Sequence, residues 1–176
     1  MEEDRRVLSV QSHVVHGCVG NRAALLPLQL HGFEVDVVNT VQLSNHTGYE
    51  IATGTRFEGE QLRELMRGLR ENRLLRHCSH VLTGYVGSAS LLQAVADVVA
   101  ELRAARPSLR FVCDPVMGDD GELYVPPELV DIYRERLVPL ATVLTPNQTE
   151  AELLVGQSIN SVDDAFRALR HLRSLG

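Results

Sequence analysis

Apolar and polar positions alternate over residues 6–12, where β-branched side chains are frequent, and this predicts a first strand with Ser12 at its C-terminal end. After a Gly-bearing loop the period lengthens. Ala23, Leu25, Leu28 and Leu30 fit a helix capped by Asn21 and stopped by Gly32. A second strand follows over residues 33–38, so the chain opens strand–loop–helix–strand, the pattern of a parallel sheet. Leu62, Leu65, Met66 and Leu69 mark one face of the next helix. The third strand is predicted over residues 80–85. A helix capped by Ser88 then turns Leu91, Leu92, Val95, Val98, Val99 and Leu102 inward until Pro107 stops it. The fourth strand covers residues 111–113. Pro126 and Pro127 open a helix with Leu129, Tyr133 and Leu137 on its buried stripe. A short fifth strand covers residues 141–145. Thr149-x-x-Glu152 is a capping box for the helix after it, and Ser161-x-x-Asp164 starts a last helix with Ala165, Phe166, Leu169 and Leu172 on one side and Gly176 as its C-cap. The expected fold is α/β: one domain over residues 1–176 with a doubly wound, mainly parallel sheet and helices on both faces, cut at the end of a strand–helix unit.

Three stretches carry candidate chemistry. In 110–119 an apolar strand stops at Asp114, and Pro115, Gly118 and Asp119 follow. Ligands of open α/β sheets sit beyond the carboxyl ends of the strands, where two acids five positions apart suit a metal ion near a phosphate. The plainer alternative is a strand-ending Asp-Pro turn with Asp119 solvated. In 145–152, Asn147 and Glu150 are placed to face the same crevice, although acids in a helix's first turn also complement its dipole. The polar loop 41–49 concentrates Ser44, Asn45, His46, Thr47 and Tyr49, neutral hydrogen-bonding groups suited to a small polar aromatic ligand.

Composition narrows the chemistry. Hydrophobic residues make up 44% of the 176, and no apolar run is long enough to span a membrane. The acidic start, Met1-Glu2-Glu3-Asp4, is unlike a signal peptide, so a cytoplasmic protein is expected. The net charge of −6, without a basic block, argues against general nucleic-acid binding. All 17 basic residues are arginine. The lysines of a P-loop and of a protein kinase are therefore excluded, and nucleotide phosphates would have to be held by backbone amides, metal-binding carboxylates or arginine. Cys18, Cys78 and Cys113 form no disulfide framework, and His77-Cys78-Ser79-His80 is too cramped for a zinc site. Gly17-Cys18-Val19-Gly20 lacks the dinucleotide-binding spacing, and Asn39 rather than an acid closes the second strand.

Six stretches taken together resemble the pyridoxal kinases of the ribokinase-like superfamily. They are Ser9-Val10-Gln11-Ser12-His13-Val14, Gly17 to Ala24, Asn45-His46-Thr47-Gly48-Tyr49, Leu82-Thr83-Gly84-Tyr85, Cys113 to Asp119 and Thr145 to Glu152, in family order. The resemblance implies phosphoryl transfer from ATP to the 5′-hydroxymethyl group of pyridoxal, pyridoxine or pyridoxamine. It implies that Ser12 and Thr47 contact the vitamin's polar atoms and that Val19, Val41, His46 and Tyr85 shape the ring pocket. Asp119 would bind Mg²⁺, while Asp114 and Thr145 would hold a monovalent cation, K⁺ or Na⁺. Asp114, Asn147 and Glu150 would face the ATP phosphates. The family's homodimer is implied for a full-length form. The family's late Gly-Thr-Gly-Asp segment, source of the anion hole and the general-base aspartate, does not occur in these residues. The expectation is an incomplete or alternatively spliced form with little kinase activity. The alternative is a non-catalytic form that binds vitamer or pairs with full-length subunits.

Overall fold

The computed structural model describes residues 5–176, so the acidic start lies outside the described residues. In chain order the elements are β1 (Arg6–Val14), α1 (Asn21–Leu30), β2 (Glu34–Leu43), β3 (Gly54–Arg56), α2 (Gly59–Glu71), β4 (Cys78–Thr83), α3 (Ala89–Ala105) and β5 (Arg110–Cys113). A hairpin of β6 (Gly118–Asp119) and β7 (Glu122–Leu123) precedes α4 (Glu128–Ile132), β8 (Val143–Leu144), α5 (Gln148–Val155) and α6 (Val162–Arg173). The main sheet runs β3-β2-β1-β4-β5-β8, parallel throughout except for the antiparallel edge strand β3. The chain moves outward from β1 to β2, then returns to β4 on the other side of β1. That reversal opens a crevice at the carboxyl ends of β1 and β4, where a doubly wound sheet binds its ligands.

The core lies on one face of this sheet. Leu8, Val10, Val38, Val81, Phe111 and Cys113 meet Leu62 and Met66 of α2, the inward stripe of α3, and Leu129, Tyr133 and Leu137. The six inward positions predicted for α3 are all buried, and the Ser88 hydroxyl accepts the Leu91 amide as its cap. Leu65, Phe166 and Leu169 are exposed instead. On α6 the buried positions are Ala168 and Leu172, because that helix packs on α5 along only one narrow stripe. The C-cap of α6 is Ser174 rather than Gly176.

On the other face of β1 the alternate residues Ser9 and Gln11 are polar and buried, and Asn21 meets them. Asn21 does not cap α1; Gly20 occupies that position and Asn21 is the first helical residue. Its carboxamide points into the sheet. Oδ1 accepts the Ser9 hydroxyl at 2.7 Å, while Nδ2 donates to the Gln11 carbonyl at 3.1 Å, the Val38 carbonyl at 2.9 Å and Asn39 Oδ1 at 2.9 Å. The ladder between β1 and β2 shifts register between Gln11 and His13, and Asn21 bonds the Gln11 carbonyl at that shift. One side chain thus ties α1, β1 and β2 together beneath the crevice. Replacing it strands several buried polar groups, each costing on the order of 1–3 kcal/mol when unpaired. Asn21→Ala is expected to lower unfolding stability by about 3 kcal/mol in urea titration. Leu26→Ala, at an exposed site on the same helix, is expected to change it by less than ~0.5 kcal/mol.

Candidate functional site

The crevice has two parts. The first is a pocket of about 230 Å³ at the carboxyl ends of β1, β2 and β4. Ser12, Val19, Val41, His46, Thr47 and Tyr85, the six residues expected to surround one ligand, all line it. Strand β2 runs on to Leu43, so Val41 sits on a strand where a loop was expected, and Tyr85 follows the end of β4 at Thr83. Val14, Leu43, Val116 and Tyr124 complete the wall. Val14 and Leu43 were legible as the same-face partners, two residues on, of Ser12 and Val41.

Local contacts hold Ser12, Tyr85 and His46 in place. Gly20 has φ +51°, and a Cβ there would lie 2.2 Å from the Ser12 carbonyl oxygen and 2.5 Å from its hydroxyl, so glycine is what lets the loop close over Ser12. Tyr85 is held by its carbonyl, which accepts the Thr40 hydroxyl at 2.7 Å. The His46 Nδ1 accepts the Gly48 amide at 3.2 Å, and its ring leans on Tyr49 at 4.7 Å. Asn45 donates to the carbonyls of His46 and Ile51 and so shapes the loop from outside the pocket.

The second part is acidic. Asp114 follows β5, its amide bonded to the Thr83 carbonyl, and its Oδ1 accepts the Thr145 hydroxyl at 3.2 Å. Asp119 ends β6. The β6–β7 hairpin turns through Asp120 (φ +49°) and Gly121 (φ +80°), two consecutive left-handed residues as a tight Asp-Gly hairpin requires. That dipeptide was the sequence signal for this unpredicted hairpin.

The hairpin is latched to the start of α5. The capping box here is Asn147 with Glu150, two residues before the expected Thr149 and Glu152. Asn147 Oδ1 accepts the Glu150 amide at 2.8 Å and Glu150 Oε2 accepts the Asn147 amide at 2.9 Å. Both residues also reach the hairpin. Glu150 Oε1 accepts the Met117 amide at 3.2 Å, and Asn147 Nδ2 donates to the Gly118 carbonyl at 2.8 Å. Thr149 adds a third tie, its hydroxyl accepting the Gly121 amide at 2.9 Å. Glu152 instead accepts the Ile159 amide and Gln148 Nε2, holding the turn between α5 and α6.

The electrostatics call for a cation. Burial raises the pKa of Asp114 against the opposing Thr145 hydrogen bond. It also raises that of Glu150, with the charge of Asp114 adding to it and the Asn147 and Met117 amides opposing. Among the described residues no arginine pairs with Asp114, Asp119 or Glu150. Nor do three His, Cys, Asp or Glu side chains form one metal-binding group. Hard carboxylate oxygens in small number fit Mg²⁺ or an alkali cation that keeps most of its ligands as water or phosphate.

These features describe an α/β protein with a small pocket beside an acidic crevice at the carboxyl ends of its strands. Residues 29–176 match the family described as phosphomethylpyrimidine kinase, and the chain belongs to that family. It is 55% identical to a pyridoxal kinase of Arabidopsis thaliana over 97% of this chain and 55% of the relative, and 51% identical to that of Homo sapiens over 100% of this chain and 57% of the relative. Among solved structures it resembles a Leishmania donovani pyridoxal kinase in complex with ADP and pyridoxine, with a TM-score of 0.93 and 47% identity over 98% of this chain and 60% of that one. The mainly parallel sheet flanked by helices is thus the ribokinase-like fold of those kinases. The chain spans a little over half the length of the curated relatives that it matches.

A raised carboxylate pKa stabilises the fold below the ordinary value, and that stability is lost as pH rises through the folded-state value. Asp114, ordinarily at 3.8 and raised here, therefore disfavours the folded state at neutral pH relative to a neutral isostere. Asp114→Asn is expected to raise the thermal midpoint at pH 7 and to lose that advantage as the pH falls through the raised folded-state value toward 3.8. Thermal melts of both proteins across that range check the sign; equal midpoints at pH 7 would contradict it.

Proposed function

We propose that this chain carries the vitamin-binding and cation-binding part of a pyridoxal kinase, which transfers a phosphoryl group from ATP to the 5′-hydroxymethyl of pyridoxal, pyridoxine or pyridoxamine. The observation that carries this reading is the convergence of Ser12, Val19, Val41, His46, Thr47 and Tyr85 on one pocket beside Asp114. A substituted pyridine is flat and mostly apolar, with polar groups at its rim. Val19, Val41 and Tyr85 supply walls for such a ring, and the hydroxyls of Ser12 and Thr47 supply partners for its rim. His46, braced by Gly48 and Tyr49, closes the outer side.

Asp119 would hold Mg²⁺, and Asp114 with Thr145 would hold K⁺ or Na⁺. Bound cations neutralise the charge of the nucleotide phosphates, which a lysine-free sequence cannot do with ammonium groups. Asn147 and Glu150 serve the ATP side chiefly by positioning, since their bonds set where Met117, Gly118 and hence Asp119 stand. The 176 residues contain no Gly-Thr-Gly-Asp segment, so on this reading the general base and the anion hole are not among them. This chain then binds vitamer and turns it over slowly. The same reading makes the complete kinase a cytoplasmic homodimer. Among the described residues no helix is long and apolar enough to cross a membrane.

Calorimetric titration tests the assignment. The chain is expected to bind pyridoxal saturably, to ignore ribose and adenosine, and to lose about tenfold in affinity in Ser12→Ala. Its ATP-dependent formation of pyridoxal 5′-phosphate is expected to be slower than that of a Gly-Thr-Gly-Asp-containing relative by ~100-fold or more. Preference for ribose or adenosine sinks the vitamin assignment, and turnover equal to the relative's sinks the assignment of the base.

A further inference from the structure

Helix α6 carries two apolar stripes, and the fold buries one of them. Ala168 and Leu172 are buried where the helix packs on α5. Val162, Phe166 and Leu169 stand at i, i+4 and i+7, so they form a second line along the helix beside the first. These three are 72%, 54% and 58% exposed. A groove of about 210 Å³ extends the same surface between α6 and β8, the edge strand of the sheet, and is lined by Leu169, Leu172, Leu144, Pro146 and Val138. A contiguous apolar surface rimmed by polar side chains marks a protein contact.

The charges of α6 select what covers it. Its acids, Asp163 and Asp164, lie in the first turn and its bases, Arg170, His171 and Arg173, in the last. Asp164 is engaged within its own turns, where it accepts the Ser161 hydroxyl and pairs with Arg167. Asp163 and Arg170 are exposed and make no ion pair among the described residues. They stand seven positions apart, close to two full turns, so they lie on one border of the apolar line with Phe166 between them. A helix of this sequence crossing antiparallel at Phe166 brings opposite charges together at both ends; a parallel one brings like charges together. A two-fold axis supplies the antiparallel arrangement from a second copy of the same surface. We propose that α6 is a self-association face, on which two copies of this chain pair through antiparallel α6 helices, with Phe166 at the centre and Asp163 of each copy beside Arg170 of the partner subunit. The proposal rests on α6 and not on the vitamin assignment, whose pocket lies at the carboxyl ends of β1, β2 and β4.

Sedimentation velocity of the 176-residue chain over a wide range of concentration tests it. A reversible monomer–dimer equilibrium is expected. Phe166→Glu, at an exposed site and with a good helix former, is expected to keep the parent's circular dichroism and to stay monomeric where the parent is dimeric. Asp163→Arg and Arg170→Asp each turn two attractive pairs into two repulsive ones, and each is expected to weaken the dimer about tenfold. The two reversals combined in one chain, or the two single variants mixed in equal amounts, are expected to recover the parent's dimerisation. The combined variant opposes the dipole of its own helix at both ends, so its recovery reports the contact between helices and not the stability of one. A chain that is monomeric at every concentration, a dimer that Phe166→Glu leaves intact, or a combined variant as weak as the single ones overturns the proposal.

Discussion

A buried carboxylate with both oxygens committed to backbone amides sets the geometry on which the acidic crevice depends. Glu150 closes the capping box of α5 and, in the same act, accepts the Met117 amide from the stretch that leads into β6. Asn147 and Thr149 repeat the connection at Gly118 and Gly121. A helix start and a two-residue hairpin, each weak alone, thus become one unit. Asp119 is exposed: its backbone pairs with Glu122 in the hairpin, and its Oδ1 accepts the neighbouring Asp120 amide. Its place relative to Asp114 is inherited from α5.

That arrangement has an electrostatic cost. Glu150 and Asp114 are carboxylates placed where burial disfavours their charge, and among the described residues no arginine pairs with them. The carboxyl ends of the strands gather these acids in a sequence that holds no lysine. The acidic end suits anions only through cations. The apolar pocket lies against the acidic end, with Tyr124 between them: it lines the pocket, and burial together with the charges of Glu150, Asp119 and Asp114 raises its pKa.

Much of this was legible in the sequence, for reasons that differ from element to element. The interior stripe of α3 runs from Leu91 to Leu102, about three turns, and is read without ambiguity, as is the Ser88 cap. Strand β3 and the β6–β7 hairpin escaped because two or three residues show no period; only Asp120-Gly121 announced the turn. Asn21 and Thr149 were misplaced for a shared reason. Each has the chemistry of a cap, but tertiary bonds claim its side chain, and the capping falls to Gly20 and Asn147. The pocket residues converged because the resemblance supplied them as a set; composition and spacing alone pointed only to a polar aromatic ligand.

The central claim is that the pocket between Ser12 and Tyr85 is where a pyridine vitamer binds. Nitrogen-15 spectra of the 176-residue chain during titration with pyridoxal test it residue by residue. The account predicts saturable shifts at the amides of Ser12, Val19, Thr47 and Tyr85, with none at Arg5 or Arg110. Shifts confined to the amino ends of the strands, or none at any ratio, would contradict it.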